Sequence, residues 1–284
     1  MTSKRQKIAY LGPKGSFSHM AAKKFWNTEK KDLKLLSKKD LNEIFRAVKI
    51  NQAAFGVIPL ENSSAGSVNS ALDNFCKKNF SLKIKQEIFI KIDFFLLSNE
   101  QNKKNISKIY AHPMAIAQCN KWLKKNFKKT KVIKVQSNSK AARLAKKNPG
   151  TAAISNNLSA QIYKIPKLNK KIQDYANNTT RFLIISRFDH PKPTGNDKTS
   201  LILSIQHKPG SLYKLLGSLA KRKINMTRIE SRIMKIGKWE YYFFIDIEGH
   251  RQETRIKKAL KEMKKYCLYF QILGSYPKGA APWD

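Results

Sequence analysis

Over roughly the first 185 residues, short apolar runs alternate with stretches whose apolar side chains return every three or four positions, the signature of an α/β fold. Residues 8–11 read as a strand, ended by the turn Gly12-Pro13-Lys14-Gly15. Ser16 stands at a helix cap ahead of a stripe made by Phe17, Met20, Ala21 and Phe25. Leu41, Ile44, Phe45 and Val48 form a second stripe, residues 55–60 a buried strand, and Val68, Ala71, Leu72 and Phe75 a third helix face. From 82 to 97 an extended segment carries Ile84, Ile88, Ile90, Ile92 and Phe94 on one parity. Further strands are predicted at 109–112, 132–135, 151–155 and 182–185, with helices at 115–127 and 139–147.

Residues 187–198 break this pattern. Pro191, Pro193 and Gly195 lie there among Asp189, Asn196 and Asp197, as in a linker. Beyond it, 199–206 alternates as a strand, and 211–221 carries Leu212, Leu215, Leu216 and Leu219 on one helix face. Strands at 227–236 and 240–248, joined through Gly237, precede a helix at 254–266 and a strand at 268–273. The order βαββαβ is that of a ferredoxin-like unit. So small a unit holds one core and wants a partner to cover its sheet or edges.

Charge alters the picture less than its size implies. The 284 residues include 57 Lys+Arg against 19 Asp+Glu, a net charge of +38. Lysines run from Lys4 to Lys278, and pairs such as Lys23-Lys24 and Lys257-Lys258 fall on polar helix faces. No zinc-finger spacing, basic zipper or RNA-binding aromatic motif accompanies them. A solvated basic surface, able to steer an anionic substrate, is favoured over nucleic-acid binding. Cys76, Cys119 and Cys267 form no metal or disulfide framework, as expected in a reducing cytoplasm. No secretory or bilayer-spanning apolar stretch is present, so no membrane is expected as a partner. HExxH, Walker A, GxGxxG and GxSxG patterns are all missing, and neither metal nor cofactor is expected.

What remains are four polar clusters where predicted strands end. Gly12-Pro13-Lys14-Gly15-Ser16-Phe17-Ser18-His19 opens a helix, whose N-terminus suits a carboxylate or is simply capped. Glu61-Asn62-Ser63-Ser64-Ala65-Gly66-Ser67 follows a buried strand, as a ligand loop or as a polar loop with a helix cap. His112-Pro113 begins a helix in which Gln118 lies just over one turn in; His112 reads as a site residue or as a structural cap. Asn177-Asn178-Thr179-Thr180-Arg181-Phe182 leads into the last strand, where Arg181 either forks onto a carboxylate or lies on the surface.

Taken in order, Gly-Pro-x-Gly-Ser-Phe-Ser-His, Pro-x-Glu-Asn-Ser-x-x-Gly, His-Pro-x-x-x-x-Gln-Cys and Asn-x-Thr-Arg-Phe resemble the prephenate dehydratase family. Lys208-Pro209-Gly210-Ser211-Leu212 and Ile229-Glu230-Ser231-Arg232 resemble the two regulatory motifs of that family's ACT domain. The resemblance implies a two-lobed catalytic domain over 6–186, like a type II periplasmic binding protein. Lobe one would hold about 6–80 and 178–186, lobe two about 81–177, followed by a linker at 187–198 and an ACT domain at 199–277. It also implies the monofunctional form, which turns prephenate into phenylpyruvate with loss of CO2 and hydroxide. By the same likeness Thr180 donates to the departing hydroxyl, with Glu61 as a candidate relay. Asn62, Ser63, His112, Gln118 and Asn178 would orient substrate, while Ser16, Ser18 and Arg181 would hold its carboxylates. Gly210, Ser211, Leu212, Asn225, Glu230 and Ser231 would meet L-phenylalanine as effector, in a homodimer or homotetramer. Ala111 stands where many members carry Ser, and Ile233 where the regulatory motif usually ends in Pro. Arogenate dehydratase, or a catalytically silent amino-acid sensor, are the rival readings.

Overall fold

The computed structural model describes residues 6–29, 33–77, 80–189, 192–234 and 240–280; the turn expected at Gly237 lies outside them. Lobe one opens with β1 (Gln6–Leu11), α1 (Phe17–Glu29), β2 (Leu33–Lys38), α2 (Leu41–Lys49), β3 (Phe55–Asn62), the short β4 (Gly66–Ser67), α3 (Asn69–Phe75) and β5 (Lys83–Lys91). Lobe two runs through β6 (Phe95–Ser98), β7 (Lys108–Ala111), α4 (Pro113–Gln118), α5 (Asn120–Asn126), β8 (Lys131–Lys134), α6 (Asn138–Lys147), β9 (Thr151–Ser155), α7 (Asn157–Tyr163) and β10 (Lys167–Asn169). β11 (Thr179–Ser186) returns to lobe one. The C-terminal unit follows as β12 (Asp197–Ile205), α8 (Ser211–Ala220), β13 (Met226–Met234), β14 (Glu240–Glu248), α9 (Thr254–Lys264) and β15 (Cys267–Pro277).

Lobe one is a sheet in the order β2-β1-β3-β11-β5, and lobe two one in the order β10-β6-β9-β7-β8. β1, β2 and β3 run parallel, as do β7, β8 and β9, while β11 is antiparallel to both its neighbours. The C-terminal ends of β1 and β3 and the start of β11 therefore lie along one sheet edge, where α/β proteins hold ligands. The chain leaves lobe one later than expected. Residues 83–91, predicted for lobe two, pair with β11 in the first sheet, and the crossing falls where Ile92 N–H donates to Asn178 O (2.8 Å) and Ile172 N–H to Phe94 O (3.0 Å).

Local chemistry accounts for most boundaries. Asp40 caps α2 by accepting Glu43 N–H, and Leu41, Ile44, Phe45 and Val48 are buried as the periodicity requires. The helix predicted over 115–127 breaks at Cys119 into α4 and α5, because the Asp174 carboxylate in the loop before β11 accepts Lys121 N–H (2.9 Å) and Trp122 N–H (3.1 Å). Among the described residues no helix is long and apolar enough to cross a membrane.

The C-terminal sheet, in the order β13-β14-β12-β15, is the expected βαββαβ unit. One face packs on α8 and α9 through Leu201, Leu203, Leu215, Ile245 and Leu260. The other shares a core with lobe one, where Ile202, Phe244, Leu273 and Tyr276 meet Leu60, Leu72, Phe75 and Ile84. The partner the small sheet needed is thus the same chain's catalytic domain. Contact is closest at Gly274, where an added Cβ would stand 2.2 Å from Ile84 O. The linker is shorter than predicted, since Asp197 and Lys198 are buried in β12.

Candidate active site

Strand alternation decides which side chains of the fourth cluster meet. Thr180 of β11 stands opposite Asn62 of β3, and Arg181 opposite Glu61. Consecutive residues project to opposite faces, so these two pairs build two different environments.

The first is neutral. Asn62 Oδ1 accepts the backbone N–H groups of Ser64 (3.0 Å) and Ala65 (2.9 Å), which fixes the amide's orientation. Its Nδ2 must then face the other way, and donates to Thr180 Oγ1 (2.8 Å), Asn178 Oδ1 (2.7 Å) and Thr179 O (3.2 Å). Asn178, buried, passes the polarity on by donating Nδ2 to Gln118 Oε1 (2.9 Å) across the lobes. Ser63 Oγ donates to Asn177 O (3.0 Å) and accepts Thr179 N–H (3.0 Å), tying the loop to the strand. The consequence is directional. A hydroxyl that accepts from Asn62 keeps its own hydrogen to donate, and Gln118 Nε2 is a second donor with no protein partner among the described residues.

The second environment is charged and largely buried, and Arg181, Glu61 and Lys198 line a cavity of about 390 Å³ with Ser63, Ser67 and Phe89. Arg181, 4% exposed, donates Nε to Glu87 (2.7 Å), Nη1 to Asp246 (2.6 Å) and Glu61 (3.0 Å), and Nη2 to the Tyr276 hydroxyl (3.1 Å). Burial opposes its charge, but Asp246, Tyr276, Glu87 and Glu61 together raise its pKa well above the ordinary value. Burial likewise opposes ionisation of Asp246, yet the Arg181 guanidinium holds its pKa below the usual carboxylate range. Two expectations are corrected here. Arg181 is consumed by protein carboxylates and does not offer its fork to a substrate. Glu61 bridges Arg181 Nη1 (3.0 Å) and Arg228 Nε (2.9 Å), on the face away from Thr180, and is no proton relay to it.

The first cluster is closed. Ser16 Oγ donates to Leu11 O and accepts His19 N–H, so it is a helix cap. Gly15 N–H donates to His19 Nδ1, while Asn156 Nδ2 (2.8 Å) and Ser159 Oγ (3.0 Å) of lobe two donate to Gly15 O. Ser18 is buried, and this turn joins the lobes rather than presenting donors for a carboxylate. His112 caps α4 by accepting Met114 N–H, and burial lowers its pKa, leaving it neutral. No bond joins it to Thr180 or Gln118 among the described residues.

In the C-terminal unit, Gly210, Ser211, Leu212 and Ser231 line a cavity of about 600 Å³ with Tyr241 and Phe243. Gly210 has φ 76°, the left-handed start of α8 that favours glycine. Glu230, one residue from Ser231, projects from the opposite face and accepts Ser67 Oγ (2.8 Å) at the domain interface. Asn225 offers its carbonyl to Glu248 N–H and does not line the cavity. Neither lines the cavity within one chain, and for Glu230 this follows from period-2 alternation. The sequence reading missed Glu87, Asp246, Lys198 and Tyr276. The signal for Asp246 was present as one acid inside the apolar run Tyr241-Tyr242-Phe243-Phe244-Ile245-Asp246-Ile247.

Two lobes meeting over a polarised neutral cluster, with a ferredoxin-like module docked on one lobe, define a cleft enzyme carrying a regulatory domain. The family model described as Prephenate dehydratase matches residues 8–190, and that described as ACT domain matches 199–264. The chain belongs to the prephenate dehydratase family. The bifunctional chorismate mutase/prephenate dehydratase of Aquifex aeolicus is 42% identical over 275 residues, which span 97% of this chain and 74% of that protein. The prephenate dehydratase of Methanocaldococcus jannaschii is 35% identical over 277 residues, 95% of this chain and 97% of that one. A solved prephenate dehydratase from Arthrobacter aurescens, in complex with L-Phe, superposes with a TM-score of 0.86 at 27% identity, covering 95% of this chain and 90% of its own. As a member of this family the chain is a lyase that dehydrates and decarboxylates prephenate to phenylpyruvate, in the synthesis of phenylalanine.

Proposed function

We propose that Thr180 delivers the hydrogen bond that lets the C4 hydroxyl of prephenate depart. Cleavage of the C1–carboxylate bond leaves its electron pair in the ring, the ring becomes aromatic, and the C4–O bond breaks with hydroxide as leaving group. A threonine hydroxyl is a feeble acid, so its work is to stabilise developing negative charge, and the proton that completes water comes from solvent. The observation that carries this reading is the bond from Asn62 Nδ2 to Thr180 Oγ1, whose direction is fixed by the loop N–H groups on Asn62 Oδ1. Gln118 and Asn178 orient the substrate with the same one-way polarity, and Ser63 braces the loop. Purified protein is incubated with prephenate and, separately, arogenate, and the products are identified by mass. Phenylpyruvate with CO2 from wild type, nearly abolished in Thr180→Ala and retained in Thr180→Ser, is the expected result. Undiminished turnover in a folded Thr180→Ala protein would remove the residue from the mechanism.

The cavity of Gly210, Ser211, Leu212 and Ser231 is the proposed L-phenylalanine site. Tyr213 and Leu268 on its rim are 81% and 61% exposed, apolar surface that a second copy of the chain would cover. A homodimer or homotetramer in the cytoplasm, inhibited by phenylalanine, is the assembly this surface supports. Light scattering with and without phenylalanine measures it, and a strictly monomeric chain would exclude it.

A further inference from the structure

We infer that Asp246 of the regulatory domain positions Thr180 through Arg181, and that β13 and β14 carry effector occupancy to the cleft along this path. The inference rests on the roles proposed above for Thr180 and the effector cavity.

The ladder beside Thr180 is irregular. Arg181 pairs with Glu61 but Phe182 pairs with Pro59, so Leu60 is the extra residue of a bulge in β3. Pro59 also brings no N–H to the ladder. The irregularity is confined to the β3 side, since on the β5 side Thr180 pairs with Ile90 and Arg181 with Phe89 in regular register, and bulges next to active sites commonly set the direction of a side chain. On the bulged side the side chain of the adjacent residue adds a further anchor to the strand.

That anchor belongs half to the regulatory domain. Asp246 is fully buried on β14 and accepts from Arg181 Nη1 (2.6 Å) and Ser200 Oγ (2.5 Å). Tyr276 closes a ring, its hydroxyl 2.6 Å from Ser200 Oγ and accepting Arg181 Nη2. Lys198 joins Glu87 (3.0 Å), and Arg228 joins Glu61. Arg181, Lys198 and Arg228 thus face Glu61, Glu87 and Asp246, a balanced set with each domain supplying members of both signs.

The same two strands reach the effector cavity. Tyr241 and Phe243 of β14 and Ser231 of β13 line it. Glu230 adjoins Ser231 and accepts Ser67 Oγ, which also accepts Arg228 Nη2 (2.9 Å). One route ends at Arg181, beside Thr180, and the other at Glu61, beside Asn62. Both partners of the Asn62–Thr180 hydrogen bond are therefore tethered to the strands that touch the effector, and a shift of β13 and β14 against lobe one acts on each.

The test uses the full-length chain with prephenate, titrated with phenylalanine. Asp246→Asn keeps shape and removes the charge; Tyr276→Phe removes one hydroxyl and spares every charge, and it carries the test should Asp246→Asn not fold. Expected for Asp246→Asn is a kcat lower by about tenfold or more with KM within about twofold. Maximal inhibition should fall below about twofold while calorimetry still finds phenylalanine bound with near-wild-type affinity. Tyr276→Phe should lose inhibition in the same way with a smaller loss of kcat. A residue that merely braced the fold would lower the amount of active enzyme and leave KM and the inhibition factor untouched. Both variants inhibited by the wild-type factor, with wild type itself active and sensitive, overturn this inference alone. A wild type that makes no phenylpyruvate overturns the dehydratase roles instead, and one that is active yet insensitive to phenylalanine overturns the effector arm.

Discussion

Thr180 and Arg181 are neighbours in one strand and live in opposite kinds of surroundings. The Thr180 face holds only amides and hydroxyls, half open to the cleft and polarised in one direction. The Arg181 face is largely buried and holds a cation among three carboxylates. A neutral donor set can meet an oxygen that gains negative charge without first being neutralised by a protein acid. A balanced buried salt cluster does something else: it fixes geometry between two domains, because any member left unpaired is costly. On the reading proposed above, the Asn-x-Thr-Arg-Phe segment gives Thr180 to the chemistry, while Arg181 docks the domains and positions its neighbour.

Breaking the first half should have the larger kinetic effect. Thr180→Ala should cut kcat by about 10²–10³-fold, the usual range for loss of one preorganised hydrogen-bond donor, with KM nearly unchanged and stability near wild type. Steady-state kinetics beside a urea melt reads both. Breaking the second half should show in stability as well as in kcat. Arg181→Met leaves Asp246 and Glu87 short of their shared cation and should cost about 3–5 kcal/mol, seen as a lower urea midpoint. If the comparison were wrong and Arg181 held a substrate carboxylate, the same variant would instead raise KM in a protein of normal stability. A smaller loss is expected from Gly274→Ala, which pushes a methyl against Ile84 O and must separate β15 from β5; an unfolding free energy lowered by about 1–3 kcal/mol in a urea melt would match an overpacked contact.

Periodicity exposed the elements with clean stripes, and motif order picked out residues that the fold brings together. Leu41, Ile44, Phe45 and Val48 fell where the helical period put them, and Asn62, Asn178, Thr180 and Gln118 do meet at one point. β2 was missed because its Leu-Lys-Leu-Leu-Ser-Lys run mixes lysines into both parities, and α7 because no apolar stripe marks it. Side-chain direction was the larger loss. Arg181, Glu61 and Glu230 were assigned by their place in a motif, whereas the pleat sends each to the face opposite its neighbour. Their partners Glu87 and Asp246 lie far away in sequence, and no local pattern ties a strand of one domain to an arginine of another.

Mild acid should separate the Arg181 face from the interlobe turn, though by the smallest margin. His19 accepts Gly15 N–H at Nδ1 inside the turn that lobe two grips, and protonation there would abolish the bond. Burial first, then the charges of Lys23 and Lys14, lower its pKa from 6.5 to about 4. The folded chain thus resists a proton that the unfolded chain takes up near 6.5. Its contribution is complete above that value, declines as pH falls from about 6.5 to about 4, and changes no further below; the slope is at most ~1.4 kcal/mol per pH unit. Asp246 has the opposite charge but the same sign of effect: its pKa is depressed, so its contribution is present above the ordinary carboxylate range and is lost only as pH falls through the lower folded value. The interlobe turn should therefore weaken at a pH where the Arg181 cluster is still intact. Urea unfolding of wild type and His19→Gln between pH 7 and 4 reads the difference, the variant giving the flatter curve. Equal slopes would mean that the acid sensitivity of this window lies outside the turn.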